Sequence, residues 1–318
     1  MKKLLSSILA IVMVSTLTLP TLATSPATIL EDIANSTIQI TETADGNGTA
    51  TTFENLSEFV DVAQSSCPYL SRYEIATFLM EYTRQDYDGL SENEILHFLT
   101  YDNITTSTSY IVIDENGEQF ISNTEYSPYA DWTSNNGNMK ITTNYSYRKT
   151  VGNEKYYEVW ARASWINFPD LSTQDAFVLG TTGTFDDSFS EYGSVSQLFE
   201  CTSGCTRLTS LFRSVSNTKT TDEDLELRYD CFVPELHFIP FSPHCEFCAG
   251  GSTDYSFTVY VRYGMIADET VNIQAGYAHK TVGLGDISVG IDATGTPSFS
   301  VGRGSVTEYI ARPVTVTY

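Results

Sequence analysis

The longer apolar runs of this chain alternate strictly with a period of two residues. In "YYEVWARASW", Tyr157, Val159, Ala161, Ala163 and Trp165 alternate with Tyr156, Glu158, Trp160, Arg162 and Ser164. Successive side chains of a β-strand point to opposite faces, so such a run presents one apolar face and one mixed face. "LELRYDCFV" repeats the pattern with Leu225, Leu227, Tyr229, Cys231 and Val233, and "YSFTVYVRY" with Tyr255, Phe257, Val259, Val261 and Tyr263. "DISVGID", "PSFSVG" and "PVTVTY" follow at short intervals, with Gly, Asp and Pro between them. In "SYIVIDENGEQFIS", Asn116-Gly117 supplies the backbone of a tight hairpin turn. Short alternating strands separated by turn residues predict an antiparallel β-sandwich over 105–318 and disfavour a parallel α/β sheet.

Residues 55–104 carry a different period. Leu56, Phe59, Val60 and Ala63 fall at helical spacing, as do Ile75, Phe78, Leu79 and Tyr82. Ser71 with Glu74 and Ser91 with Glu94 read as capping boxes, and Leu70 with Ile75 and Leu90 with Ile95 as hydrophobic staples. Phe98 and Leu99 extend the last stripe. The segment is therefore expected to form a three-helix unit whose short helices need packing partners. "RQDYDGLSENEI" fails as a calcium loop. With Gly89 at the loop glycine, Arg84 would take the first ligand position and Ile95 the twelfth. Residues 24–54, rich in Thr, Ser, Ala, Asp and Gly, are expected to be a disordered leader.

The N-terminus "MKKLLSSILAIVMVSTLTLPTLATSPA" pairs Lys2 and Lys3 with a short apolar stretch and a small-residue cleavage pattern at Thr21-Leu22-Ala23. It reads as a secretory signal peptide over 1–23, and the expectation is a freely released extracellular protein with no membrane insertion after cleavage. A net charge of −23 opposes nucleic acid and anionic lipid as partners, because the field repels polyanions.

The six cysteines pose the most chemical question. In an oxidising compartment disulfides are the default. Cys201 and Cys205 flank a hairpin tip, and Cys245 and Cys248 lie in "SPHCEFCAGG". If the two tips are neighbours, these four cysteines could instead hold a structural zinc, with His237 or His244 replacing one sulfur. No other cofactor is expected. Cys231 reads as core, and Cys67 lies apart before the second helix.

No nucleophile elbow, zinc-protease helix or phosphate loop is present in the sequence. His97 falls off its helix's apolar stripe and is expected to be solvated, and His279 sits in a strand-like stretch beside Tyr277. Acidic pairs in "TFDDSF" and "TTDEDLE" could serve a carboxylate-dependent hydrolase, although adjacent acids are common in an acidic chain. Tyr156 and Trp160 would share the second face of their strand. Open to water, they would be a platform for sugar or peptide; the alternative is that the helices cover them.

"YRKTVGNEKYYEVWARASWINFPDLSTQDAFVLGTTGTF" and "AGYAHKTVGLGDISVGIDATGTPSFSVG" resemble a group of secreted proteins of Gram-positive bacteria over about 140–318. The resemblance implies secretion and carries no activity, ligand or catalytic residue. The reading is a non-enzymatic extracellular module for a carbohydrate, peptide or cell-surface partner. A secreted hydrolase and a structural component of an extracellular assembly are its competitors.

Overall fold

The computed structural model describes residues 25–45, 48–113, 118–122, 138–167, 174–190, 192–201, 206–208, 215–221, 224–229 and 253–318. Among them lie four α-helices: α1 Pro26–Thr37, α2 Leu56–Ser66, α3 Arg72–Tyr82 and α4 Glu92–His97, the last continued by a turn of 3₁₀ helix. Strands β1 Gln39–Asp45 and β2 Gly48–Glu54 precede α2, and β3 Asn103–Ile113, β4 Gln119–Ser122, β5 Asn138–Val151 and β6 Glu154–Asn167 follow the helices. Next come β7 Gln174–Thr181, β8 Thr184–Phe185, β9 Tyr192–Cys201, β10 Thr206–Leu208, β11 Val215–Thr221 and β12 Asp224–Tyr229. The chain closes with β13 Thr253–Ala267, β14 Val271–Ile291, β15 Pro297–Ile310 and β16 Val314–Val316.

The protein is mainly β, and its described strands pair antiparallel in two sheets. The first runs β1-β2-β3-β5-β6-β13-β9-β10, with β4 on β3 and β8 on β13; the second runs β11-β12-β7-β14-β15, with β16 on β14. One apolar core draws on both sheets: Ile111, Ile141, Val159 and Val261 from the first meet Phe177, Ile273, Tyr277 and Tyr309 from the second. The stripe Tyr157, Val159, Ala161, Ala163 and Trp165 lies wholly in this core, as its period requires. At the β5–β6 turn Gly152 adopts φ +64°, a conformation that glycine takes without strain.

The β14–β15 hairpin carries two register shifts. Such irregularities bend a strand pair, and the tip of this one lies on the outer face of its own sheet. A methyl group at Gly276 would sit 2.8 Å from Pro297 Cβ, and one at Gly180 would lie 2.3 Å from Ile291 Cδ1. Glycine here permits close approach of two layers.

The helices pack on the opposite face of the first sheet. Leu56, Phe59, Val60 and Ala63 of α2 are all buried, at the predicted spacing. Ile75 and Leu79 of α3 are buried, while Phe78 and Tyr82 pack at the margin. Two expectations are corrected. Residues 24–54 are not without structure, since α1, β1 and β2 lie there. Ser25 caps α1 with Pro26 at its first turn, and Leu30, Ala34, Ile38 and Phe53 anchor the segment in the helical core. Nor do three helices form a unit of their own. Four helices share one core with Trp160 and Tyr260 of the sheet.

Candidate functional site

The mixed face of β6 and β13 points into the helical layer, and its polar residues are joined there. Arg262 lies opposite Trp160 in the β6–β13 register, one pleat from Glu158. Its Nη1 donates to Glu158 Oε1 at 2.9 Å and its Nη2 to Glu94 Oε1 on α4 at 3.3 Å. The same Glu158 oxygen accepts from the Tyr101 hydroxyl at 2.6 Å and lies 2.9 Å from His97 Nε2. Burial pushes the Glu158 carboxyl up, but His97, Tyr101 and Arg262 outweigh it and hold its pKa below the ordinary value. At Glu94 burial prevails over Arg262, and the pKa is raised. Two carboxylates pushed apart in this way are what acid–base chemistry needs, yet both are buried and bridged by one guanidinium. The arrangement is an internal strut.

Trp160 is only 1% exposed. Its ring stacks on Tyr101 at 4.9 Å, and its Nε1 donates to Gln85 Oε1 at 3.3 Å. Gln85 in turn donates to Asn144 on β5 at 2.9 Å. Tyr156 shares the face but sits at its rim, half-buried, with its hydroxyl on Glu154 at 3.1 Å and Lys149 Nζ over its ring at 4.7 Å. The open aromatic platform expected at Tyr156 and Trp160 is therefore corrected: the helices cover its central residue. Arg162 on the same face donates to the backbone carbonyls of Asp86 and Asp88, pinning the turn before α4. His97, expected in solvent, is half-buried beside Glu158.

A second polar cluster lies between the sheets. His279 Nδ1 is 2.8 Å from Asp175 Oδ1, and the Tyr277 hydroxyl donates to Asp175 Oδ2 at 2.6 Å. An Asp–His pair can orient a general base, but Asp175, His279 and Tyr277 are each fully buried. Of the acids in "TFDDSF", Asp186 is buried, pairs with Arg148 at 3.2 Å and closes a turn through Ser188.

Two features face solvent instead. The first is β1, at the end of the first sheet. It pairs with β2 in unbroken register from Gln39 to Asp45, residues 39–44 are exposed, and Ile40 stands 49% exposed. The second is a cleft of about 120 Å³ between the β1–β2 hairpin and the C-terminal strand, with hydroxyl side chains along its wall.

Cys205, Cys245, Cys248, Cys231, His237 and His244 lie outside the described residues, so the disulfide and zinc readings do too. Cys201 ends β9, which pairs with β10 as the hairpin reading expects. Cys67 is buried with a free thiol.

No family model and no curated protein matches the chain. Among solved structures it is similar to a DUF4466 family protein from Parabacteroides merdae, at 12% identity and a TM-score of 0.23, covering 55% of this chain and 44% of that one. It is also similar to the collagen-binding domain of a Staphylococcus aureus adhesin, at 8% identity and TM-score 0.22, covering 53% and 95%. A third is manganese lipoxygenase of Gaeumannomyces graminis with part of zonadhesin of Komagataella pastoris, at 10% and 0.18, covering 66% and 72%.

Proposed function

We propose that the protein is a secreted, non-catalytic binding module, a β-sandwich under a helical cap, that accepts an extended segment of a partner protein on the free edge of β1. The carrying observation is the edge itself. "QITETAD" is seven residues long, exposed over 39–44, in unbroken register, and without Pro, Lys or bulge. Those are the usual devices that keep an edge strand from pairing. An uncovered edge offers a ladder of backbone donors and acceptors to an added strand. Its charge favours a foreign partner over a second copy of the chain: Glu42 is paired with Arg84 at 3.8 Å, but two copies each carrying a net charge of −23 repel. A neutral or basic segment fits best.

The signal-like N-terminus and the resemblance to secreted Gram-positive proteins support an extracellular setting. Disulfides among the cysteines of 201–248 suit that setting, with structural zinc as the alternative. Intact mass with and without reductant separates the two. The hydrolase reading loses support because the described Glu94, Glu158, Asp175 and Asp186 are engaged internally.

The test is selection of a displayed random-peptide library on the full chain, repeated on Ile40→Pro and Thr41→Pro. Consecutive residues of a strand direct their N–H groups to opposite sides, so only one of the two prolines removes an outward donor. Enriched peptides should lose at least tenfold in affinity on that variant. Equal binding to both folded variants, or no enrichment, would refute strand addition.

A further inference from the structure

We propose that the hydroxyl-lined cleft is a binding site for a single ring of a neutral sugar. This does not depend on strand addition at β1.

The site is made where the inter-sheet core runs out. On the face of β3 that meets the second sheet, Ile111 and Ile113 belong to the core. Two and more residues earlier the same face carries Ser109, Ser107 and Thr105. Ser109 is used, accepting from the Arg312 backbone N–H at 3.0 Å as the chain turns toward β16. Thr105 and Ser107 form the wall of the cleft with Thr43, Thr52, Tyr145 and Thr315. Thr49 and Thr317 stand at the same opening.

Three properties of the lining select the ligand. First, among the described residues the hydroxyls of Thr43, Thr49, Ser107, Tyr145 and Thr317 have no protein partner, while Thr52 bonds Thr105 at 2.9 Å and Thr315 bonds Asn272 at 3.0 Å. Each hydroxyl offers one donor and two acceptor sites, so the wall can both give and receive. An apolar ligand would strip water from these groups without replacing it, at a cost. A ligand that itself carries several hydroxyls would not.

Second, among the described residues the lining holds no Asp, Glu, Lys, Arg or His. A charged ligand would find no counter-charge, and an anionic one would meet the field of a chain at −23. Third, Ala50, Pro313, Val314 and the half-buried ring of Tyr145 give an apolar patch beside the hydroxyls, and a pyranose has one C–H face and an equatorial rim of hydroxyls. An apolar cavity of roughly 150 Å³ holds benzene, so this cleft of about 120 Å³, open on one side, takes one face of a single pyranose and leaves its rest in water. A shallow one-ring site should bind with a dissociation constant near the millimolar range.

The experiment is saturation-transfer NMR on the full chain with glucose, galactose, mannose and N-acetylglucosamine, and with glucuronic acid as the charged control. At least one neutral sugar should show transfer, and glucuronic acid should not compete with it. Ser107→Ile extends the Ile111 stripe into the cleft and should weaken the sugar at least tenfold. Thr317→Arg, at an exposed rim position, fills the opening from outside without touching the core and should do the same, so a folding defect in the first variant leaves the test intact. Whichever of Ile40→Pro and Thr41→Pro removes the outward donor of β1 should bind the sugar as the parent does. The proposal is overturned if every neutral sugar is silent at tens of millimolar, if the sugar binds undiminished after Thr317→Arg, or if glucuronic acid binds better.

Discussion

Arg262 on β13 and Glu158 on the neighbouring β6 meet at 2.9 Å beneath the helical layer, and the same guanidinium extends to Glu94 on α4. One cation thus holds the sheet to the helix above it. Removing one partner of a buried pair strands the other charge, which typically costs about 3–5 kcal/mol.

The two carboxylates should respond in opposite senses. Glu158 has a lowered pKa in the fold, so its stabilisation is present above the ordinary value of 4.5 and is lost as pH falls through the depressed one. Glu94 has a raised pKa, so its contribution is present at low pH and is lost as pH rises through the raised value. Glu158→Gln should therefore cost about 3 kcal/mol at neutral pH and flatten the acid limb of stability. Glu94→Gln should cost about 1 kcal/mol or less at neutral pH. Urea unfolding across the acid range measures both.

Trp160 is a core residue of the helix–sheet interface. Trp160→Ala should cost about 3–5 kcal/mol, and Trp160→Phe much less, because it keeps the stack on Tyr101 and loses only the bond to Gln85. Acrylamide should quench little of the fluorescence that disappears in the Phe variant.

Arg162→Met should leave the sheets folded and loosen the turn at 86–88, whose carbonyls lose their donors. Limited proteolysis should then cut near 84–90, where the parent resists.

Asp175→Ala removes the acceptor shared by His279 and Tyr277 between the sheets. A loss of about 2–3 kcal/mol by urea unfolding is expected, with sugar and peptide binding by the folded protein unchanged.

Much of the local structure was legible in the sequence. The two-residue period identified the inner face of β6, and helical spacing picked out the buried residues of α2. The capping box at Ser71 and Glu74 formed as written. At Ser91 the hydroxyl caps α4, but Glu94 turns away to Arg262, a partner 168 residues along the chain. Glu158 likewise meets His97 and Arg262 at separations of 61 and 104 residues. Local period states which face a side chain takes and is silent on what lies across from it. That is why Trp160 could be assigned a face but not its cover. The polar composition of 24–54 points to disorder because it averages away four anchors, Leu30, Ala34, Ile38 and Phe53. The cleft had a faint trace in "ITTSTSYIVI", where hydroxyls give way to isoleucines on one face of β3.

Among the described residues β1 pairs on one side only, with β2, and strand addition needs its other edge to be free. Hydrogen exchange on the full chain, resolved residue by residue over Gln39–Asp45, examines this without any ligand. Alternate amides, those facing β2, should exchange slowly while their neighbours exchange at nearly unprotected rates. Slow exchange at every amide of the strand would mean that the edge is already occupied, and the proposed mode of binding would fail.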